Sequence, residues 1–469
     1  MRIKLLFSNP QDLARLRFYA PFVRSLDIYD KRARMYDVLN WQKLARLGEN
    51  APILPNLTQL TLTTPSPIKS RDQLFWIRTF LAPSLVDIRI VKPTSNKLSL
   101  LKLPMALNLL KYISSTVPDI QRLSIFIPEE IQYDDKDSQM ICFWEPSLSS
   151  YLGTFTSLKE LASTNIVLQP DVLPTIASLR KLEVLDIQGD REPSSDGIHR
   201  YIDQKTLPLN PFPKLTSFFW RGIDGNECII LFECPAFQNL SLLHLYFDGP
   251  PDLPEDLMDI WQCALFDVIA KACPKLSDLR IDFTELYNLR KSPKDTKSAI
   301  LSMSKLPLDT VYLSWADFGD GFNLLDSFDL KAIWPLVTKL SLPHLQTNFM
   351  GLYKLSRLPK LEYLIACLYF EGDYYDDFYN AQPLGTSPLR QLNGSNHRMY
   401  YSEVAARDAA ETLLKFWPNI ERIYRDMSNI PEGTLDDDED PQELIDDLEE
   451  INGEIERLRR KKDGRMDDV

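Results

Sequence analysis

Glycine and histidine are scarce in this sequence, which has 16 and 4 copies of them among 469 residues. Loops that cradle phosphate groups depend on glycine, and neither the G-x-G-x-x-G nor the G-x-x-x-x-G-K-[ST] motif is present. The G-x-S-x-G motif of serine hydrolases is absent too. None of the histidines has the E-x-x-H or H-x-x-x-H spacing of a metal hydrolase. The sequence therefore predicts a protein that is not an enzyme.

Paired cysteines are also missing: the six cysteines form no C-x-x-C motif and no Cys/His block of the kind that binds zinc. Asp373, Asp376, Asp377 and the acidic run at 436–440 lack the glycine-centred loop of a calcium site, so we interpret them as solvated charges. We expect no cofactor and no metal. Free thiols are typical of a reducing compartment, which favours a cytoplasmic or nuclear protein. The cysteines are Cys142, Cys228, Cys234, Cys263, Cys273 and Cys367.

An excess of positive charge and long apolar runs are missing as well. The chain carries 53 Lys and Arg against 66 Asp and Glu, a formal net charge of −13. Because nucleic-acid binding depends on clustered basic residues, we do not expect nucleic acid as the main partner. No stretch approaches the roughly 20 apolar residues of a membrane helix. The apolar run at 5–7 is too short for a signal peptide, so no membrane partner is expected.

What the sequence does have is one pattern repeated along most of its length. In one copy, Leu276, Leu279 and Ile281 follow Pro274 at spacings of three and two, after a helical pattern over 255–272. The predicted strands end near 28, 62, 90, 125, 163, 187, 220, 245, 281, 313, 342, 366, 394 and 425. The period is about 30 residues, slightly above the roughly 20–29 of leucine-rich repeats. The sequence therefore predicts an α/β leucine-rich-repeat solenoid, with a curved parallel sheet of short strands on the concave side and helices on the convex side.

The pattern also suggests a division of the chain into three parts. We predict an N-terminal helical cap over 1–21, the repeat array over 22–426, and an acidic linker with a charged, partly disordered C-terminal helix over 427–469. That helix is interpreted as a solvated terminal helix, with docking as a cap or pairing with a partner helix as alternatives. Besides 255–272, helices are predicted at 10–20, 36–47, 72–81, 104–117, 171–179, 294–303, 345–355, 402–417 and 443–462.

The residues between the inward leucines should face outward together on the concave side, because side chains alternate along a strand. Arginine, tyrosine and histidine at these positions favour recognition of a protein partner, although some of them could simply pair with neighbours across the sheet. The candidate partner-binding residues are Arg89, Arg122, Phe219, Arg221, His244, Tyr246, Arg280, Tyr312, Tyr363 and Tyr424. A candidate binding loop carries Tyr374, Tyr375, Phe378 and Tyr379.

Three stretches carry a resemblance to a known family: residues 12–26, residues 54–57 and the Cys273-Pro274-x-Leu276 block. They are similar to fungal, basidiomycete-type F-box proteins with leucine-rich repeats. The resemblance implies an F-box ahead of the first strand, which would dock on the adaptor of a cullin-RING ubiquitin ligase while the repeats hold a substrate. No L-P-x-E/D motif of an F-box precedes Asp12 in this sequence. Two functions stay open: the substrate-recognition part of such a ligase receptor, and a repeat scaffold that binds protein partners without any ligase.

Overall fold

The computed structural model describes residues 2–4, 10–29, 37–39, 46, 48, 51–63, 77–91, 103–127, 147–189, 207–223, 225–247, 255–283, 301–314, 329–368, 387–395, 406–426 and 441–462. The chain divides into two compact units. Unit 1 comprises Met1–Ile223 and Ile230–Asn239, and unit 2 comprises Asp224–Ile229 and Leu240–Val469. None of the described helices is long and apolar enough to cross a membrane.

Unit 1 alternates short strands with short helices. Strands β2 and β4 to β9 form a parallel sheet in chain order, while β1 pairs in parallel with β3 alone. The elements are β1 (Arg2–Lys4), α1 (Pro10–Tyr19), β2 (Ser25–Tyr29), β3 (Asp37–Leu39), β4 (Gln59–Thr63), β5 (Asp87–Val91), α2 (Leu103–Thr116), β6 (Arg122–Ser124), α3 (Leu148–Gly153), β7 (Glu160–Thr164), α4 (Leu173–Ala177), β8 (Val184–Gln188) and β9 (Ser217–Ile223); α5 (Gly225–Phe232) follows in the chain.

Unit 2 repeats the arrangement, with strands β10 to β16 in a parallel sheet in chain order. The elements are β10 (Leu242–Phe247), α6 (Glu255–Ala272), β11 (Asp278–Phe283), β12 (Thr310–Leu313), α7 (Leu330–Ile333), β13 (Lys339–Thr347), α8 (Phe349–Leu355), β14 (Tyr363–Leu368), β15 (Gln391–Ser395), α9 (Ala406–Phe416), β16 (Arg422–Asp426) and α10 (Pro441–Lys462).

The repeated leucines pair with one another in register, and this stacking forms the core of each unit. In unit 1, Leu60 pairs with Ile88, and Leu161 with Leu185. The equivalent row in unit 2 is Leu243, Leu279, Val311, Leu340, Leu364, Leu392 and Ile423, all of which are buried. Parallel neighbours need a crossover connection, which the intervening segments supply. The predicted α/β leucine-rich-repeat fold is confirmed.

The proline that precedes the first leucine in many of the repeats has a local structural reason. The amide of Leu276 donates to the carbonyl oxygen of Cys273 (3.0 Å), which closes a β-turn with Pro274 as its second residue. Leu57 and Leu85 close equivalent turns on Leu54 and Ala82. Proline favours this position because its fixed φ matches the turn. The turn thus starts these strands at a defined residue.

A second recurring feature joins each repeat to the next. The amides of Val86 and Asp87 both donate to the carbonyl oxygen of Thr58, at 2.9 and 3.1 Å. In unit 2 the amides of Ser277 and Asp278 share the carbonyl oxygen of Ser241 in the same way, both at 2.9 Å. Because one carbonyl accepts two bonds at these steps, the register of the new strand is fixed before the ladder begins.

Two of the predicted helices are wrong in part. Within 36–47, Asp37–Leu39 is strand β3, which pairs with β1 and not with the repeat sheet. Within 345–355, β13 continues to Thr347 and the helix begins only at Phe349, because Asn348 caps it by accepting a hydrogen bond from the Gly351 amide (3.0 Å). β13 can continue because a register shift between Leu342 and Gln346 bypasses the ladder near Pro343.

The interpretation of the C-terminal helix as solvated is also wrong. Leu448, Ile451 and Ile455 of α10 are buried, and α10 packs against α9 and β16. Asn452 hydrogen bonds to the backbone of Ile423 on β16, the terminal strand of the unit 2 sheet. The structure therefore shows the docked arrangement, in which α10 covers the exposed edge and the end of the apolar core.

Candidate binding surface

The outward face, meaning the strand residues that alternate with the buried leucines, carries most of the predicted binding residues. In unit 1, Arg89 lies on β5 and Arg122 on β6, and both contact Asp87. Arg89 Nε lies 3.0 and 3.1 Å from the two carboxylate oxygens of Asp87, and Arg122 Nε lies 2.8 Å from Oδ2. Asp87 is fully buried, whereas the arginine side chains are 42% and 40% exposed. One buried carboxylate therefore holds two exposed guanidinium groups together.

Phe219 and Arg221 lie on β9, farther along the unit 1 sheet. Arg221 Nη1 donates to both carboxylate oxygens of Asp186 on β8, each at 3.3 Å. Phe219 pairs in register with Asp186. This arginine is thus engaged through a terminal nitrogen, and the alternative that some outward residues pair across the sheet applies to it.

In unit 2, Arg280 on β11 lies between two tyrosines on the neighbouring strands. Its guanidinium carbon is 4.1 Å from the ring centroid of Tyr312 on β12 and 5.4 Å from that of Tyr246 on β10. Both distances fall within the range of cation–π attraction. Nη2 also donates to Asp282 Oδ2 (3.3 Å). We call Tyr246, Arg280, Tyr312 and Asp282 the Arg280 cluster.

The environment of the Arg280 cluster keeps its guanidinium charged. Partial burial alone would lower the pKa of Arg280, but Tyr246, Tyr312 and Asp282 together raise it above the ordinary value. Arg280 Nε is buried and has no hydrogen-bond partner among the described residues. The cluster is therefore a charged group fixed between two flat aromatic rings, with part of its hydrogen-bonding capacity unused.

His244 on β10 lies beside the Arg280 cluster. Its Nε2 is 3.3 Å from Asp278 Oδ1 on β11, and its ring meets that of Tyr246 edge-on with centroids 6.4 Å apart. In the sheet register His244 faces Arg280 directly. The predicted residues His244, Tyr246, Arg280 and Tyr312 therefore come together on three adjacent strands.

The last two predicted residues of the face lie apart from that group. Tyr363 on β14 accepts a hydrogen bond at its hydroxyl from Asn393 Nδ2 on β15 (3.0 Å). Tyr424 on β16 is 40% exposed. Asn393 was not among the predicted residues, and its Oδ1 is buried without a partner in the part of the chain that the structure describes. The candidate loop residues Tyr374, Tyr375, Phe378 and Tyr379 lie outside the described residues.

The described cysteines are structural in character. Burial, with a smaller contribution from Glu233, raises the pKa of the Cys234 thiol to about 11, and burial raises that of Cys367 to about 11 as well. Burial raises the pKa of Cys273 still further. These thiols stay protonated at neutral pH, so they are poor nucleophiles and poor metal ligands. Over the described part of the chain, no cluster of three or more His, Cys, Asp or Glu could hold a metal ion.

The repeated turns and stacked leucine strands define a leucine-rich-repeat protein. No family model matches the chain, and no curated protein does. Among solved structures, the leucine-rich repeat-containing protein LegL7 from Legionella pneumophila aligns with 13% identity and a TM-score of 0.33, over 92% of this chain and 97% of that one. TLR13 in its complex with ssRNA13 aligns with 13% identity and a TM-score of 0.35, over 90% of this chain and 57% of that one.

Proposed function

We propose that this chain is a non-catalytic protein-interaction module and that the Arg280 cluster is the centre of its binding surface in unit 2. The observation that carries the proposal is the position of Arg280 between the rings of Tyr246 and Tyr312. Arginine and tyrosine are the residue types that most often dominate the energy of protein interfaces. Because these side chains are fixed on sheet strands and against each other, little conformational entropy is lost when a partner binds.

The two carboxylates on the same strand as Arg280 support the same function. Asp278 and Asp282 flank Arg280 on its own strand, so the surface combines one cation with two carboxylates and two aromatic rings. A partner that covers the rings would desolvate the guanidinium and strengthen its electrostatic interactions. Such mixed surfaces favour specific partners, because a partner of the wrong charge pattern leaves buried charges unpaired.

For the biological role, we propose the substrate-recognition part of an F-box-type ubiquitin ligase receptor, located in the cytoplasm or nucleus. This finer proposal is supported by the resemblance of residues 12–26, 54–57 and 273–276 to fungal F-box proteins with leucine-rich repeats. The second candidate is a leucine-rich-repeat scaffold that binds protein partners without ligase coupling. The Arg280 cluster would serve either role, so the two differ in what else binds to the chain.

Quantitative affinity purification from the source organism tests both levels of the proposal. The full chain is compared with Arg280→Ala and Tyr312→Ala, and with Arg407→Ala as the matched control, because Arg407 is an exposed arginine on α9 that pairs with Glu411. We expect a partner that both wild type and Arg407→Ala retain and that Arg280→Ala loses at least tenfold.

The composition of the captured complex then decides between the two roles. Co-purification of a ubiquitin-ligase adaptor and a cullin with the wild-type chain supports the ligase role, and a partner without them supports the scaffold. Equal capture by wild type and both cluster variants would contradict the proposed surface, whichever proteins were captured.

A further inference from the structure

Asp87, Arg89 and Arg122 of unit 1 form an arrangement that the surface around Arg280 does not use. Both arginines contact Asp87 through Nε, and the two Nε atoms converge on Oδ2 of that carboxylate. Within the residues that the structure describes, no other hydrogen-bond or ion-pair partner of Arg89 or Arg122 occurs. Among the described residues, nothing engages the terminal nitrogens of either guanidinium group, and the two side chains are 42% and 40% exposed.

This arrangement differs from an ordinary ion pair in its charge. Two guanidinium groups share one carboxylate, so the triad keeps a net positive charge. The carboxylate is fully buried and contacts each guanidinium group only at Nε. The two terminal nitrogens of a guanidinium group match the spacing of two oxygens in a carboxylate or phosphate. Two such guanidinium groups, fixed on adjacent strands, need no reorganisation before they bind an anion.

We infer that Arg89 and Arg122 form a binding site for an oxyanion, a phosphate or carboxylate carried by a protein segment, and that Asp87 is its positioning residue. The inference rests on the proposed function only in that the occupant belongs to a protein. It involves strands β5 and β6 of unit 1, so it shares no residue with the Arg280 cluster in unit 2.

The neighbours in the sheet register set the strength of this site. Thr61 lies beside Arg89 on β4, and its hydroxyl can donate to an anion. Glu160 lies beside Arg122 on β7 and carries a negative charge that opposes binding. A phosphate group, with a charge of about −1.5 to −2 and three acceptor oxygens, gains more from two guanidinium groups than a carboxylate does. We therefore expect a phosphorylated side chain to bind more tightly than glutamate.

The test measures binding of small probes to the full chain by calorimetry and thermal shift at constant ionic strength. The probes are inorganic phosphate, phosphoserine blocked at both termini, equally blocked glutamate, and a single-stranded RNA oligonucleotide. We expect phosphate and blocked phosphoserine to bind, and Arg89→Gln or Arg122→Gln to weaken binding at least tenfold. Arg89→Lys should weaken it similarly, because lysine keeps the charge and loses the guanidinium group. Arg407→Gln is the control and should bind as the wild type does, because Arg407 is an exposed arginine on helix α9 that pairs with Glu411.

Two further variants distinguish a preorganised binding site from simple charge attraction. Asp87→Asn removes a negative charge, so simple attraction predicts tighter binding, whereas a positioning role predicts binding at least tenfold weaker. Glu160→Gln should strengthen binding severalfold. The Arg89→Lys variant keeps the test decisive if Asp87→Asn does not fold.

The source of the anion follows from the probes. Tighter binding of phosphoserine than of glutamate assigns the site to a phosphorylated segment, and equal binding assigns it to an acidic segment. Failure of phosphate, phosphoserine and glutamate to bind, or equal weakening by Arg407→Gln, would overturn the inference. So would RNA that binds more tightly than blocked phosphoserine through the same arginines. Because the Arg280 variants are not involved, each of these results leaves the proposed surface in unit 2 to be judged separately.

Discussion

The side chain of Asn452 hydrogen bonds to both backbone polar groups of Ile423. Its Oδ1 accepts from the Ile423 amide at 2.8 Å, and its Nδ2 donates to the Ile423 carbonyl oxygen at 3.0 Å. An amide side chain thus takes the place that the backbone of a further strand would occupy. Since an unpaired edge strand is a template for association with other chains, this contact protects the end of the unit 2 sheet.

The first prediction concerns this contact. Asn452→Ala leaves the buried amide and carbonyl of Ile423 unpaired, so it should lower the free energy of unfolding by ~2–4 kcal/mol. Urea denaturation measures the change. Glu450→Ala, an exposed position on the same helix, is the control and should have little effect. The Asn452→Ala variant should also associate with itself at high concentration, which light scattering detects. Unchanged stability would mean that α10 does not protect β16.

A second prediction concerns the leucine stack. Leu364 is fully buried between the neighbouring strands, whereas Leu336, in a turn of the same unit, is 40% exposed. Leu364→Ala should destabilise the fold by ~2–5 kcal/mol, because it removes buried methyl groups and leaves a cavity. Leu336→Ala should cost well under ~1 kcal/mol. Thermal and urea unfolding of the two variants gives the comparison, and equal losses would contradict the assigned core.

A third prediction concerns a buried polar pair in unit 1. The indole nitrogen of Trp220 on β9 donates to Asn165 Oδ1 at 2.8 Å, and both residues are buried. Asn165→Leu leaves the indole donor unpaired and should lower the free energy of unfolding by ~1–3 kcal/mol. Trp220→Phe removes the donor, so the Asn165→Leu change should cost less in that background. A double-mutant cycle shows whether the two effects are coupled, and full additivity would argue against the hydrogen bond.

A fourth prediction concerns pH. The pKa values of Cys234 and Cys367 are raised by burial to about 11 from the 9.0 of an exposed thiol. Above pH 9 the unfolded chain loses these protons and the folded chain keeps them, so stability should fall as pH rises from 9 to about 11. Both thiols should alkylate slowly at pH 8 in the folded chain and rapidly after unfolding. Peptide mapping resolves each cysteine, and fast alkylation of folded Cys234 at pH 8 would contradict its burial.

The sequence was sufficient to predict the strands of the repeat sheets, because one inward leucine pattern recurs behind a turn-forming proline. It was ambiguous where two periods coincide: Leu345, Phe349 and Leu352 have helical spacing, yet Leu345 belongs to β13 and the cap at Asn348 sets where α8 begins. The strand Asp37–Leu39 was missed because it and its partner, β1, lie outside the repeated leucine pattern.

The site was predictable only in part, for a related reason. Alternation placed Arg280, Tyr246 and Tyr312 on one face, but the parallel register brings them together. Asp87 occupies an outward position in the alternation, which predicts an exposed side chain, yet it is fully buried and paired with Arg89 and Arg122. Asn452 did leave a signal in the sequence, because an amide stands among Leu448, Ile451 and Ile455 on the apolar face of α10.

The central claim is that a partner contacts the Arg280 cluster, and site-specific photo-cross-linking tests it most directly. A photoreactive phenylalanine analogue replaces Tyr312 in one chain and Tyr353 in a control, because the Tyr353 ring lies on helix α8 against Phe416. We predict that the probe at 312 cross-links to a defined protein partner and that the probe at 353 does not. Cross-linking of the same partner from 353, with none from 312, would contradict the assignment of the binding surface.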